Sequence, residues 1–190
     1  MTDIKSEVRR AVETLRQGGI ILYPTDTVWG IGCDATNSDA VAKIYALKKS
    51  TDKKSMLVIV DSIDRAAVYT DNVPHVAWDL MEVTDKPLTL ILPGAHGISH
   101  ELIPDEGTIG IRVPDHEFCH QMCRMLGRPV VSTSANISGM TTPARFDEID
   151  PAVKDGVDMV VDASFEADAT GKASSIIAID RSGAFKIIRP

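Results

Sequence analysis

Cysteine is scarce in this chain, and its scarcity excludes a fold held together by disulfides. The three cysteines, Cys33, Cys119 and Cys123, are an odd number and too few for a disulfide framework. Such sparse usage is typical of a reducing compartment. We therefore expect a cytoplasmic protein.

Long apolar runs are also missing. No stretch approaches the roughly 20 apolar residues that a membrane helix needs, and the first ten residues lack the apolar segment of a signal peptide. We therefore expect no membrane association and no export. The 190 residues are 44% hydrophobic and 25% charged, which is enough for one good core. The expected organisation is a single domain over residues 1–190.

Aromatic residues and net positive charge are both in short supply. The formal net charge is −7 and aromatic residues make up 5% of the chain. These values argue against a broad nucleic-acid-binding surface and against stacking on single strands. One basic cluster stands out, because residues 48–54 contain four lysines. The cluster is either a solvated helix end or a local anion site.

Apolar periodicity predicts helices and strands that alternate through the first two thirds of the chain. The predicted helices are 4–17, 38–47, 63–69, 73–83, 115–126 and 146–154. The predicted strands are 20–23, 56–60, 88–92, 108–113, 129–132, 159–161, 175–179 and 185–188. Residues 180–183 form a hairpin turn between the last two strands. This order indicates a mixed sheet with helices on its faces, and the long loop at residues 93–105 is a candidate lid.

Two polar turns follow apolar strands and carry most of the functional signal. The first is Tyr-Pro-Thr-Asp-Thr-Val-Trp-Gly at residues 23–30, and the second is Ser-Thr-Ser-Ala-Asn-Ile-Ser-Gly at residues 132–139. Hydroxyls and amides crowded at a strand end are poor core residues. They are well suited to form a rim of donors and acceptors around a small polar ligand.

Familiar nucleotide and nucleophile motifs are absent. Residues 30–35, Gly-Ile-Gly-Cys-Asp-Ala, match the loose pattern G-x-G-x-x-A. A dinucleotide site needs that pattern to open a helix directly after a strand, and the next predicted helix begins only after Asn37. We therefore interpret these glycines as sites of close backbone approach. The sequence also contains no Walker-type phosphate loop and no G-x-S-x-G elbow.

One predicted helix face carries metal-ligating residue types. His116, Cys119, His120 and Cys123 lie at helical spacing. The first and last of these are separated by a rise of roughly 10 Å, which is too far for one tetrahedral ion. We interpret them as buried thiols and half-buried imidazoles, and predict no metal site there.

Arg112 is a charged residue inside an apolar strand. A buried guanidinium is costly unless it meets an anion, which can be either a ligand or a partner carboxylate. The sequence leaves both alternatives open. Arg189, at the end of the last strand, poses the same question less sharply.

Taken together, these motifs resemble the YrdC/Sua5 family, the threonylcarbamoyl-adenylate synthases of tRNA modification. No single motif is specific, but their order and approximate spacing match over essentially the whole chain. Because the sequence ends soon after the last motif, we expect the short form without the additional C-terminal domain of Sua5. The motifs are Tyr23–Thr27, Lys48 to Lys54, Gly110–Pro114, Ser132–Gly139, Ser174–Ser175 and Ile188–Arg189.

The resemblance implies an α/β fold of the α+β type. It has three layers, with a twisted mixed parallel and antiparallel sheet of about seven strands flanked by helices. In a concave, positively charged cavity, ATP with Mg2+, L-threonine and bicarbonate would yield L-threonylcarbamoyl-AMP and pyrophosphate. A partner complex would then transfer the threonylcarbamoyl group to adenosine 37 of tRNA. The metal would be held by the phosphates, with no protein ligand assigned.

The resemblance also implies roles for individual residues. Those matching the threonine-contacting positions are Thr27, Arg112, Ser134 and Ser174. Those matching positions that face ATP are Lys48, Ser50, Lys54, Thr108, Asn136 and Arg189. No general acid or base is assigned, because the reaction mainly requires positioning and neutralisation of phosphate charge.

The lysine cluster departs from the family pattern. The family's K-x-R-x-x-x-K run has arginine in third place, and this chain has Ser50. A guanidinium fork against phosphate is therefore lost, and Lys49 or Lys53 can replace it only as a point charge.

Two alternatives follow from these observations. One is a binding protein for double-stranded RNA or tRNA, as described for some family members. The other is a YciO-like paralogue with weakened or no synthase activity because of Ser50.

Overall fold

The structure, a computed structural model, describes residues 3–166 and 169–190. Short 3-10 turns lie between the main elements, and no helix in these two ranges has the length and apolar character needed to cross a membrane. The α-helices of the described residues are α1 Ile4–Arg16, α2 Ser38–Lys48, α3 Ile63–Ala67, α4 His75–Val83, α5 Glu117–Leu126 and α6 Pro151–Asp155.

In the described part of the chain, nine strands form one mixed sheet. They are β1 Ile21–Tyr23, β2 Gly30–Gly32, β3 Leu57–Ile59, β4 Leu88–Pro93, β5 Thr108–Arg112, β6 Val130–Ser134, β7 Met159–Val160, β8 Ser175–Ile179 and β9 Phe185–Arg189. Their spatial order is β7-β1-β2-β6-β3-β5-β4-β8-β9. The pairs β1/β7, β3/β5 and β4/β8 are parallel, and the others are antiparallel. The predicted class, a mixed sheet flanked by helices, is confirmed, with nine strands instead of about seven.

Strand β2 is the one that the sequence pattern missed, because its Gly-Ile-Gly composition favours turns. Its glycines are needed for a close fit between β1 and β6. A Cβ atom on Gly32 would lie 2.5 Å from the carbonyl oxygen of Val131, and one on Gly30 would lie 3.2 Å from Ser132 Oγ. Only a residue without a side chain allows the backbones to approach this closely, as we inferred for these glycines.

Helix α1 begins where its sequence predicts. The carboxylate of Asp3 accepts a hydrogen bond from the Ser6 amide at 3.1 Å and so caps the helix. Val8, Val12 and Leu15 lie on its buried face. This face packs against α5, so that the two helices cover the sheet together.

Helix α5 contributes thiols to the core. Cys119 donates a hydrogen bond to the carbonyl of Pro24 at 3.4 Å, and Cys123 donates one to the carbonyl of Ile59 at 3.7 Å. Burial raises the pKa of both thiols. His116, which directly precedes this helix, and His120 within it are half-buried. This arrangement agrees with the interpretation of this face as core.

Two predictions need correction, the helix at 146–154 and the lid at 93–105. The helix predicted at 146–154 is a 3-10 turn, Phe146–Glu148, followed by the short α6, because Pro151 can begin a helix but cannot continue one. The candidate lid at 93–105 contains a 3-10 turn whose Leu102 is fully buried. The Ser99 amide of this loop also donates to the carbonyl of Ala35 at 2.8 Å. These contacts tie the loop to the body of the protein.

Candidate functional site

A cavity of about 560 Å³ lies on one face of the sheet, and seven of the nine strands contribute to its lining. In β5, Thr108, Gly110 and Arg112 line the cavity from every second position, because alternate side chains of a strand point to the same face, and Ile109 also contributes to the lining. Ile111 between them is fully buried in the core. The alternation explains how a strand that is mostly apolar can present an arginine to a polar site.

Seven of the ten sequence-predicted site residues line this cavity. They come from positions up to 162 residues apart in the chain, and three others, Lys48, Ser50 and Asn136, lie outside the lining. The seven are Thr27, Lys54, Thr108, Arg112, Ser134, Ser174 and Arg189.

The first polar turn forms one wall. The hydroxyl of Thr25 donates to the carbonyl of Val28 at 2.8 Å and lies 2.9 Å from the hydroxyl of Thr27. The carbonyls of Asp26 and Thr27 accept hydrogen bonds from the amides of Thr170 and Gly171, each at 2.9 Å. The turn is thus held from inside and from a distant loop, which fixes the position of the Thr27 hydroxyl.

Arg112 has a protein partner. Of the two anions that the sequence left open, a ligand or a partner carboxylate, the structure shows the partner carboxylate. Its guanidinium forms an ion pair with the buried carboxylate of Asp26, and its Nη1 donates to Thr27 Oγ1 at 2.7 Å. The other carboxylate oxygen of Asp26 accepts a hydrogen bond from the Asp115 amide at 3.2 Å. The Nε atom of Arg112 is buried and has no acceptor among the described atoms. The guanidinium is therefore fixed by two protein groups, which use two of its five N–H donors.

The opposite wall is built by β4, β8 and β9. Ser174 is buried, and its hydroxyl lies 2.8 Å from that of Thr89. Arg189 Nε donates to the carbonyl of Ser174 at 2.8 Å. Partial burial and the positive charge of Arg112 lower the pKa of Arg189. Both arginines line the cavity, so their positive charges face the same space.

Lys48, for which the resemblance implies a role facing ATP, lies outside the cavity lining. Its ammonium group donates to the carbonyls of Ser134 and Asn136, at 2.6 and 2.7 Å, and the residue is 3% exposed. Burial lowers the pKa of Lys48 to about 8. The described contacts thus make Lys48 a support for the end of β6, where Ser134 lines the cavity.

Ser50 and Asn136 are also committed to their own loops. The Ser50 hydroxyl accepts a hydrogen bond from the Asp52 amide at 3.2 Å. The Asn136 side-chain amide donates to the carbonyls of Ile137 and Met140, at 3.0 and 2.9 Å. Asn136 therefore shapes the second polar turn, from which Ser134 reaches the cavity lining, and Thr142, three residues after the turn, lines the cavity as well.

The lysine cluster is divided between support and lining. Lys53 donates to the carbonyls of His100 and Ile103, at 3.1 and 3.4 Å, and so fastens the 3-10 turn Lys53–Ser55 to the neighbouring loop. The exposed Lys54 pairs instead with Glu106, and this pairing raises the pKa of Lys54 and lowers that of Glu106. Of the four lysines, Lys53 and Lys54 line the cavity.

Sequence patterns missed three residues at this site. Asp26 belongs to the first polar turn, but nothing in its pattern showed that it would meet Arg112, 86 residues away. Glu106 lies in a turn without a recognisable motif. Trp29 lines the cavity, is 1% exposed and packs against the Phe146 ring at 4.8 Å. Its position inside the first polar turn was the available signal.

Known proteins resemble this chain along most of its length. The Sua5/YciO/YrdC family model, described as telomere recombination, matches residues 13–190. A threonylcarbamoyl-AMP synthase of Idiomarina loihiensis is 36% identical over 174 residues, which is 86% of this chain and 88% of the relative.

Solved structures share the fold. P. abyssi Sua5 complexed with L-threonine has a TM-score of 0.82 at 23% identity, covering 94% of this chain and 52% of that one. The present chain thus spans about half the length of that Sua5 protein. E. coli YciO has a TM-score of 0.81 at 25% identity, covering 100% of this chain and 90% of YciO.

Proposed function

The chain belongs to the Sua5/YciO/YrdC family, and we propose that it is a threonylcarbamoyl-AMP synthase. The reaction would join L-threonine, bicarbonate and the AMP moiety of ATP, with release of pyrophosphate and water. The observation that carries this proposal is the convergence of Thr27, Arg112, Ser134 and Ser174 with Lys54 and Arg189 in one cavity. The likeness to relatives that bear this name supports it.

The threonine carboxylate would bind at Arg112. A guanidinium can form two parallel charge-assisted hydrogen bonds to a carboxylate, which fixes orientation as well as position. Asp26 and Thr27 already hold this group, so little side-chain entropy is lost when the substrate binds. The hydroxyls of Thr27, Ser134 and Ser174 would then form hydrogen bonds with the polar groups of threonine.

The polyphosphate of ATP would lie toward Lys54, Thr108 and Arg189. Lys54 and Arg189 supply positive charge, and Thr108 supplies a hydroxyl. Mg2+ fits this site as part of the ATP complex, because Glu106 is the single carboxylate among the described lining residues. When bound, the ion would neutralise phosphate charge.

In the reaction that we propose, the residues of the cavity act mainly by holding the substrates in place and stabilising phosphate charge. The threonine amine would attack CO2 with loss of a proton, or bicarbonate with loss of water, to give a carbamate. A carbamate oxygen would then attack the α-phosphorus in line and expel pyrophosphate. Arg112 would keep the amine of threonine close to the second reactant, while Lys54 and Arg189 would stabilise charge on the phosphoryl oxygens. No general base is assigned among the described residues.

The first experiment measures pyrophosphate release with ATP, Mg2+, bicarbonate and L-threonine. Release should require threonine, and mass spectrometry should detect threonylcarbamoyl-AMP. Release that does not depend on threonine, or no release at all, would contradict the proposal. Omitting bicarbonate from degassed buffer provides the matched control, since carbamate formation needs a carbon source.

The product would serve as donor to a separate complex that modifies tRNA. We do not favour RNA binding as the principal role, because the lysine cluster does not form a free basic surface. Lys48 is buried, Lys53 donates to two carbonyls, and Lys54 pairs with Glu106.

A further inference from the structure

The cavity lining carries more positive than negative charge, and its negative charge comes from a single residue among those described. Among the described residues of its lining, four are cationic and one, Glu106, is acidic. The cations are Lys53, Lys54, Arg112 and Arg189. A carboxylate has no attractive role beside a polyphosphate chain, since like charges repel in a partly enclosed site.

Backbone hydrogen bonds of the next residue, Gly107, fix the position of Glu106 in the cavity lining. The amide of the next residue, Gly107, donates to the carbonyl of Pro104 at 2.9 Å, and the Gly107 carbonyl accepts from the Ala95 amide at 3.0 Å. Gly107 has a φ of +68°, which favours glycine and closes the turn. The turn therefore presents Glu106 at a defined point directly before β5.

The partner of Glu106 is the lysine that the proposed function assigns to ATP. The Lys54 ammonium group pairs with Glu106, and both side chains are exposed, at 64% and 54%. Exposed ion pairs are weak, so an incoming phosphate can replace the carboxylate at small cost. Lys53 is less available to a phosphate than Lys54, because two carbonyls already take two of the three donors of its ammonium group.

We propose that Glu106 is an internal competitor that lowers the affinity of the cavity for polyphosphate. Its carboxylate holds Lys54 until a phosphate group takes its place. A second cavity adjoins the first and shares Ile91, Glu106, Thr108 and Ala178 with it. A displaced Glu106 side chain therefore has space to turn away from the phosphate. This inference rests on the proposed function for its natural ligand, but it concerns binding and not turnover.

Titration calorimetry on the full chain tests the inference. The probes are ATP with Mg2+ and metal-free inorganic tripolyphosphate. Glu106→Gln should bind both probes about three- to tenfold more tightly than the wild type at low salt, and the gain should shrink at high salt. Asp105→Asn removes a neighbouring carboxylate outside the lining and should change either affinity less than about twofold.

A double-mutant cycle with Lys54→Met identifies the partner. The gain from Glu106→Gln should disappear when Lys54 is absent, because no ion pair then remains to be broken. An unchanged or weaker affinity in Glu106→Gln would overturn the inference, and weaker binding of the magnesium complex alone would instead mark Glu106 as a metal ligand. An equal gain in affinity in Asp105→Asn would show that the loss of any nearby negative charge is sufficient, and this would also overturn the inference. Tight binding without pyrophosphate release would refute the proposed function and leave the inference intact.

Discussion

Arg112 Nη1 lies 2.7 Å from Thr27 Oγ1, although 85 residues separate them in the chain. Asp26, the neighbour of Thr27, pairs with the same guanidinium. One strand and one turn therefore share a buried ionic contact at the edge of the cavity. Because this contact fixes the Arg112 guanidinium, we expect Arg112 to control the use of threonine.

Replacing Arg112 with lysine should damage threonine use more than ATP use. A lysine keeps the charge but loses the planar fork, so kcat/KM for threonine should fall roughly 100-fold, mainly through a higher KM. Pyrophosphate release at varied threonine concentrations measures this effect. Arg124→Lys, on the exposed face of α5, is the matched control and should behave as the wild type. A normal KM for threonine in a folded Arg112→Lys protein would contradict the assignment.

Replacing Lys48 with methionine should destabilise the protein and perturb the end of β6. The carbonyls of Ser134 and Asn136 would lose a donor, at a cost of about 1–3 kcal/mol. Urea unfolding measures the cost. Lys43→Met, which removes a lysine whose side chain is exposed and contacts the carbonyl of Gly18, provides the control. Equal stability of Lys48→Met and the wild type would refute the supporting role.

The pH dependence of the same variant has a definite sign. The folded pKa of Lys48 is lowered to about 8 from an ordinary 10.5, so the unfolded chain binds the proton more tightly. Between these two values, stability conferred by this residue rises with pH. The free energy difference between wild type and Lys48→Met should therefore grow as the pH increases from 8 toward 10. A difference that is flat or falls over this interval would show that the folded pKa is not lowered.

A methyl group on Gly32 should be poorly tolerated. Its Cβ would lie 2.5 Å from the Val131 carbonyl oxygen, so β2 and β6 must separate. We expect Gly32→Ala to cost more than about 2 kcal/mol in urea unfolding, as for other overpacked sites. Gly30→Ala, whose Cβ would come no closer than 3.2 Å to its neighbours, should cost less. Equal costs at the two positions would remove the steric explanation.

Trp29 should report ligand binding through its fluorescence. The residue lines the cavity, and its Nε1 is buried without an acceptor among the described atoms. A bound anion changes the electric field at the indole, so emission should change saturably with ATP and threonine. Trp78, which is half-buried in α4, should be replaced by phenylalanine to isolate the signal. Saturable binding by calorimetry with no change in emission would place the ligand away from Trp29.

Much of the fold could be predicted from local patterns. Eight of the nine strands coincide with predicted apolar runs, since a buried strand leaves a clear signature in hydrophobicity and turn residues. The capping of α1 by Asp3 is equally local. Strand β2 and the segment around Pro151 were misread, because close packing of glycine and the break before a proline depend on neighbours that a pattern does not contain.

The sequence by itself determined which polar groups are available, namely two hydroxyl-rich turns, an arginine inside a strand and a lysine cluster. It also determined the resemblance that relates them. Tertiary structure alone decided their partners: Lys48 supports β6, Lys54 meets Glu106, and Arg112 meets Asp26. The physical reason is that composition sets the number of donors, acceptors and charges. Which of them pair depends on distances between strands that are far apart in the chain and adjacent in the sheet.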